Sequence, residues 1–221
     1  MKTPAKRATG GRPTREAAEL LAERIIDVAT ELMLQHGYSQ TSIEAVASAA
    51  GVAKRTLYSR FPEKRDLFAA VLQRRREQFL APVAKISNAG GPIQDRLEQV
   101  GMHVLEWALK ADTIALRRLI VAEIGRFPEL SGAMLNNSRV NLIKLVAEIL
   151  EKERVSGVFV FTDATFAALQ FLNMIMAPAD MHAHYGAGAI RGKKKRDYIV
   201  SVVDLFLNGC RAGARPPAKR A

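Results

Sequence analysis

The segment "TSIEAVASAAGVAKRTLYSRFPEKRDLF", residues 41–68, restricts the fold more than any other part of the chain. Thr41 and Glu44 form a Thr-x-x-Glu capping box, a helix start. Ile43, Val46, Ala47 and Ala50 follow at the i, i+3, i+4, i+7 spacing of one helix face. Gly51 stops that helix after about two turns. A second short segment is anchored by Val52, Leu57 and Phe61, and Pro62 ends it, because the residue before a proline is pushed out of the α region. A preceding helix starts at Glu16, carries Leu21, Ile25, Val28 and Leu32 on one face and stops at Gly37. Two short helices about a glycine turn, backed by a third, describe a helix-turn-helix.

With Leu57 and Phe61 turned inward, Lys54, Arg55, Thr56, Tyr58, Ser59 and Arg60 project outward. Arginine and lysine reach base acceptors or phosphates, and hydroxyls bond phosphate oxygens. Thr41 and Ser42, beside the free N–H groups at the start of the second helix, and Lys64, at the start of the fourth, add phosphate contacts. No acid occurs from 45 to 62, so nothing in that run repels a phosphate. An isolated basic run is usually a solvated face. Here the capping box, the glycine turn, the paired anchors and the proline stop coincide, and the run reads as a DNA-recognition helix.

The charge agrees. The chain of 221 residues carries a formal net charge of +11 and a pI near 10.1, which points to a polyanionic partner. The excess lies at the two ends: residues 1–80 are net +5, residues 81–180 net −1 and residues 181–221 net +7. Residues 1–15 read as a flexible basic arm in which Arg12, within Gly-Arg-Pro, suits a narrow minor groove; a tail with only nonspecific attraction reads equally well. Residues 211–221 read as a second flexible basic tail. The lone Cys210 excludes an intrachain disulfide and fits a reducing, cytoplasmic setting; the apolar run 164–179 is too short and too polar for a membrane span.

The remainder is helical in pattern. The expected helices cover Glu63 to about Lys85, a stripe from Ile93 to Trp107, Ile114 to Gly125, then about 129–153, 162–177 and about 194–209. "VSGVFVF" at 155–161 is the only β-like fragment. The fold class is therefore all-α with about nine helices: a helix-turn-helix domain over 16–70 and a helical regulatory and dimerisation domain over 71–210. Met102, His103, Trp107, Met134, Phe166, Phe171 and Met174 are candidates for a ligand pocket, although such residues at helical spacing are more often plain core. The helices over 162–177 and 194–209 carry wide apolar faces: Phe166, Leu169, Leu172, Asn173 and Met176 on one, and Ile199, Val202, Val203 and Phe206 on the other. A pair of such helices from each subunit suits a four-helix homodimer interface. Residues 181–196 read as a loop, so His182 and His184 are exposed loop histidines without a third ligand, and no metal or other cofactor is expected.

These residues also carry a resemblance. Residues 41–68, the "HGY" that ends the first helix and the fourth helix from "PEKRDLF" are similar to the DNA-binding domain of the TetR family of transcriptional regulators. It is specific over about residues 20–72 and weaker beyond, with "AEIGRFPEL" and "IVSVVDLFLNG" as faint echoes. It implies contacts to DNA from Thr41, Lys54, Thr56, Tyr58 and Lys64, a dimer through the last two long helices and an unidentified small-molecule effector. Arg55 stands where many members have glycine, and Ser59 where many have an aromatic residue or histidine, so no operator sequence transfers.

The expected function is a sequence-specific regulator, a repressor released from a pseudo-palindromic operator by a ligand. The alternative is a nonspecific basic DNA-binding protein without an effector. An enzyme is not expected, since no Ser-His-Asp set, glycine-rich phosphate loop, metal cluster or placed carboxylate pair is present.

Overall fold

The computed structural model describes residues 15–123, 125, 127, 129–154, 161, 163–186 and 190–210, the side chains of 129–138 excepted. The arm with Arg12, the tail 211–221, the β-like stretch except Phe161 and the side chain of Met134 lie outside the described residues. Among those described, the chain is all-α: α1 (Arg15–His36), α2 (Ile43–Ala49), α3 (Lys54–Arg60), α4 (Lys64–Asn88), α5 (Ile93–Ala108), α6 (Ala111–Glu123), α7 (Glu129–Arg154), α8 (Ala164–Tyr185) and α9 (Lys193–Cys210). Two compact units divide between Val71 and Leu72, inside α4.

In the first unit α1 buries Ala22, Ile25, Ala29 and Met33, one position on from the expected stripe at its later turns, while Leu21, Val28 and Leu32 are half-buried beside it. Gly37 leaves α1 at φ +86° and Gly51 leaves α2 at φ +63°, left-handed positions that favour glycine. The cap of α2 differs from the expectation. Ser42 is the N-cap and its side chain accepts the Ala45 N–H at 3.0 Å. Thr41, one residue earlier, is buried and donates its hydroxyl to Gly37 O at 2.9 Å. Val46, Ala47, Leu57, Phe61, Leu67 and Phe68 complete the core, with the Tyr38 ring 5.0 Å from that of Phe68.

The second unit is built around α5, which packs on α8 and α9. Val100, Val104 and Leu105 of α5 meet Phe171 and Ile175 of α8 and Ile199, Val203 and Phe206 of α9 in one buried cluster. Gly101 permits this approach: a Cβ there would lie 3.1 Å from both Ile175 and Ile199.

The eighth helix does not stop near 177 but continues through Pro178 to Tyr185, so His182 and His184 belong to its last turn and not to a loop. A proline inside a helix removes the N–H that would bond the carbonyl four residues back, here that of Met174. Tyr198 of α9 donates its hydroxyl to that carbonyl at 2.5 Å, which satisfies the orphaned acceptor and lets the helix run on. A buried arginine closes the far end of α4. Arg96 donates to Ser87 O at 3.1 Å and pairs with Glu153 at 3.4 Å, and Lys152 donates to the same carbonyl at 3.1 Å. Two cations at a helix C-terminus oppose the negative end of its dipole.

Candidate nucleic-acid interface

The α3 helix has seven residues, and isolated helices shorter than about 12–15 residues are marginal in water. Its N-cap Ala53 offers no side-chain bond. Burial therefore holds it: Leu57 is 0% exposed and Phe61 7%. That pair points inward and leaves Lys54, Arg55, Thr56, Tyr58, Ser59 and Arg60 exposed on the other side, as the spacing predicts.

These groups are not equivalent. Among the described residues, neither Lys54 nor Arg55 is engaged in an ion pair, so both heads are available to a polyanion. Arg60 donates to Ala18 O of α1 at 3.3 Å, which commits part of its fork to the fold. Ser59 turns back to Thr56 O at 2.9 Å. Lys64 donates to Ser39 O at 3.0 Å and lies 4.6 Å from the centre of the Tyr38 ring. Ser42 is exposed and caps α2, whereas Thr41 is 3% exposed with its hydroxyl already bonded. A buried, engaged hydroxyl shapes the turn rather than reaching out, and Thr41 departs in this from the expected contact set.

Tyr58, 41% exposed, donates its phenol to the Glu44 carboxylate of α2 at 2.5 Å. That bond, Glu44's own backbone N–H and the nearby charge of Lys54 hold the carboxyl below its usual range, and the same bond pushes the Tyr58 phenol up. The sequence pattern assigns Glu44 to a capping box only. Its partner lies 14 residues away, a pairing that no local pattern announces.

The expected pocket residues do not gather in one place. His103 and Trp107 cluster with Phe79, at ring separations of 5.6 and 5.5 Å. The His103 Nε2 is 2.8 Å from Phe79 O, so that nitrogen carries the proton and donates. Arg75 and Lys110 both lie over the Trp107 ring, at 5.2 and 4.5 Å. Phe171 is wholly buried against Phe206, while Phe166 is 62% exposed. Met102 and Met174 border the core cluster. A cleft that the sequence did not suggest is lined by Glu106, Lys110, Arg118, Arg191 and Lys195 beside Leu109 and Ile114. Among the described residues no group of three or more His, Cys, Asp or Glu side chains could hold a metal, and no helix is long and apolar enough to cross a membrane.

The apolar residues expected to form the α9 side of a dimer interface lie inside the chain's own core: Ile199, Val202, Val203 and Phe206 are all buried. Among the described residues, the large apolar side chains that α8 and α9 leave exposed are Phe166, Met181, Tyr185 and Leu205.

Comparison with known proteins bears on both units. Residues 25–71 match the family model described as bacterial regulatory proteins, tetR family, and residues 95–209 match that of the C-terminal domain of AefR-like transcriptional repressors. The chain is 25% identical over 219 residues to the HTH-type transcriptional regulator AcrR of Shigella flexneri, covering 89% of this chain and 94% of that protein. Among solved structures, the flavonoid-responsive regulator FrrA is 30% identical with a TM-score of 0.73, over 88% of this chain and 99% of that one. A TetR-family regulator from Mesorhizobium loti has a TM-score of 0.77 at 23% identity, over 90% of this chain and all of that one.

Proposed function

Since the chain belongs to the tetR family of bacterial regulatory proteins, we propose that the exposed face of α3 is its operator-reading surface. Members of the family are helix-turn-helix transcriptional regulators, typically repressors, that bind operator DNA as homodimers and respond to small-molecule effectors. This agrees with the regulator reading and not with a nonspecific basic binder. In our assignment Lys54, Arg55 and Thr56 carry the base contacts. Tyr58, Ser59, Arg60, Lys64 and Ser42 set the register against phosphates, and Arg12 reaches the neighbouring minor groove. The observation that carries this is the division of α3 itself, with two buried anchors behind an unbroken hydroxyl and cationic face.

The test is a titration against an operator duplex and a scrambled duplex at two salt concentrations, with wild type beside Lys54→Ala. The expected result is a preference of about a thousandfold for the operator, reduced by roughly tenfold or more in the variant, since one good base contact is worth about 1–3 kcal/mol. Equal, steeply salt-dependent binding of both duplexes by both proteins overturns the assignment.

For the effector, the cleft lined by Lys110, Arg118, Arg191 and Lys195 supports an acidic ligand with an apolar body, because its lining holds four cations to one carboxylate, Glu106, which pairs with Lys195 at 3.3 Å, beside apolar walls. Raised thermal stability with an aryl or acyl carboxylate, absent with its methyl ester and absent in Arg118→Ala, is the expected outcome. An ester that stabilises equally removes the electrostatic argument.

A further inference from the structure

We infer that Glu44 is a specificity-determining residue, a carboxylate set among the DNA-reading groups that suppresses binding to nonoperator DNA. The inference rests on α3 being the reading helix. Three observations lead to it. The carboxylate accepts the Tyr58 phenol at 2.5 Å, so it holds a group that would otherwise donate to a phosphate. It stands near Ser42 and within the field of Lys54, two more groups of the reading set. It stands in the first turn of α2 immediately before the acid-free run of 45–62, so a negative charge has been admitted at one position and kept out of the next eighteen.

The physical effect differs between two kinds of complex. Sequence-independent binding is almost wholly an attraction of cations to the phosphate backbone. There Glu44 opposes by repelling the nearest phosphate, while the release of Tyr58 that a phosphate contact needs is common to both complexes. In the operator complex α3 is seated by base contacts at a fixed register, and a carboxylate at the groove is a hydrogen-bond acceptor for an exocyclic amino group such as cytosine N4. Glu44 then gains on the operator what it loses in repulsion. A repulsive element that weakens wrong partners more than the right one is a recognised route to specificity. The held-down carboxyl stays ionised through neutral pH, as this role needs.

Two unit charges about 6–7 Å apart in water change binding by roughly threefold. Two copies in a homodimer make that about tenfold. The experiment measures the affinity of full-length wild type, Glu44→Gln, Glu44→Ala and Lys54→Ala for two duplexes by fluorescence anisotropy. One duplex is enriched by the wild type from a random library and the other is scrambled, and circular dichroism checks that each variant is folded. Both Glu44 variants are expected to bind scrambled DNA about tenfold more tightly with operator affinity unchanged or weaker, so the operator preference falls by about tenfold. If Glu44→Gln leaves that preference unchanged, the inference is overturned. If only Glu44→Ala alters binding, Glu44 merely positions Tyr58, which overturns it as well. The Lys54→Ala arm separates the two readings: should it change neither affinity, α3 is not the reading helix and both fail together, whereas a loss in Lys54→Ala with no effect at Glu44 leaves the reading helix standing.

Discussion

Replacing Leu57 by alanine should abolish DNA binding without touching a DNA contact. A seven-residue helix with no side-chain cap at its start has little stability of its own, and Leu57 at 0% exposure is its chief attachment to the core. Truncation of a fully buried leucine costs about 2–5 kcal/mol, from lost transfer energy and the cavity left behind. The described part of the first unit runs from 15 to 71, and at roughly 0.05–0.15 kcal/mol per residue a unit of that size is stable by only about 3–8 kcal/mol. The variant should bring that unit close to its unfolding midpoint. The single tryptophan, Trp107, lies in the other unit, so its fluorescence reports that unit alone while far-ultraviolet circular dichroism reports both. In urea, at an m-value of about 1.5 kcal/mol/M, the dichroism transition of the first unit should move down by roughly 2 M, with the Trp107 transition unmoved. Anisotropy should show no operator binding, while Leu57→Met, which conserves volume, should bind nearly as wild type. Loss of DNA binding in Leu57→Ala with both transitions unmoved would refute this, because Leu57 would then touch DNA and not the core.

Three further outcomes test the rest of the fold. Tyr198→Phe should destabilise the helical unit by about 1–3 kcal/mol through the unsatisfied Met174 carbonyl, and Pro178→Ala should recover most of that in the double variant but little in wild type; equal effects of Pro178→Ala in both backgrounds break the link. Gly101→Val should cost more than about 2 kcal/mol in urea unfolding, because Ile175 and Ile199 are fully buried and cannot withdraw; an unchanged midpoint would show that they can. Asp112 bonds Arg75 at 2.6 Å and its carboxyl is held below the usual range, so its contribution is present above about pH 4 and fades as pH falls through the lowered folded-state value. Asp112→Asn should therefore be less stable than wild type at pH 7 and converge with it at strongly acid pH, and a gap that persists there refutes the ion-pair account.

The legible parts of the fold are those specified by neighbours in sequence. Gly37 and Gly51 are readable as stops because each takes a positive φ. Leu57 and Phe61 are readable as anchors because a four-residue spacing on a short helix leaves one face for the core. The misplaced features depend on groups far away in the chain. Pro178 is a helix breaker by its own chemistry, and the carbonyl it orphans is taken up by the Tyr198 hydroxyl, supplied from another helix. The α9 apolar stripe has the same appearance whether a partner subunit or α5 covers it. That Gly101 lets α5 come close enough to do so is a property of three helices, not of one.

The same distinction separates the two proposed functional surfaces. A reading helix has to show its chemistry within two turns, because a groove admits one helix face, and so Lys54 to Arg60 stand consecutively in the sequence. The cleft proposed for the effector gathers side chains from several helices at once: Lys110 lies between α5 and α6, Arg118 on α6, Arg191 just before α9 and Lys195 on α9, so no window of the sequence contains them. Glu44 lies between these cases. It sits inside the reading segment, yet its meaning depends on a bond across the turn to Tyr58, and from sequence alone an acid at the third position after Thr41 reads as a cap. With Ser42 as the cap, the Glu44 carboxylate is held in the first turn of α2 by its own backbone N–H and, across the turn, by Tyr58, and only the first of these is local enough to be read from a capping pattern.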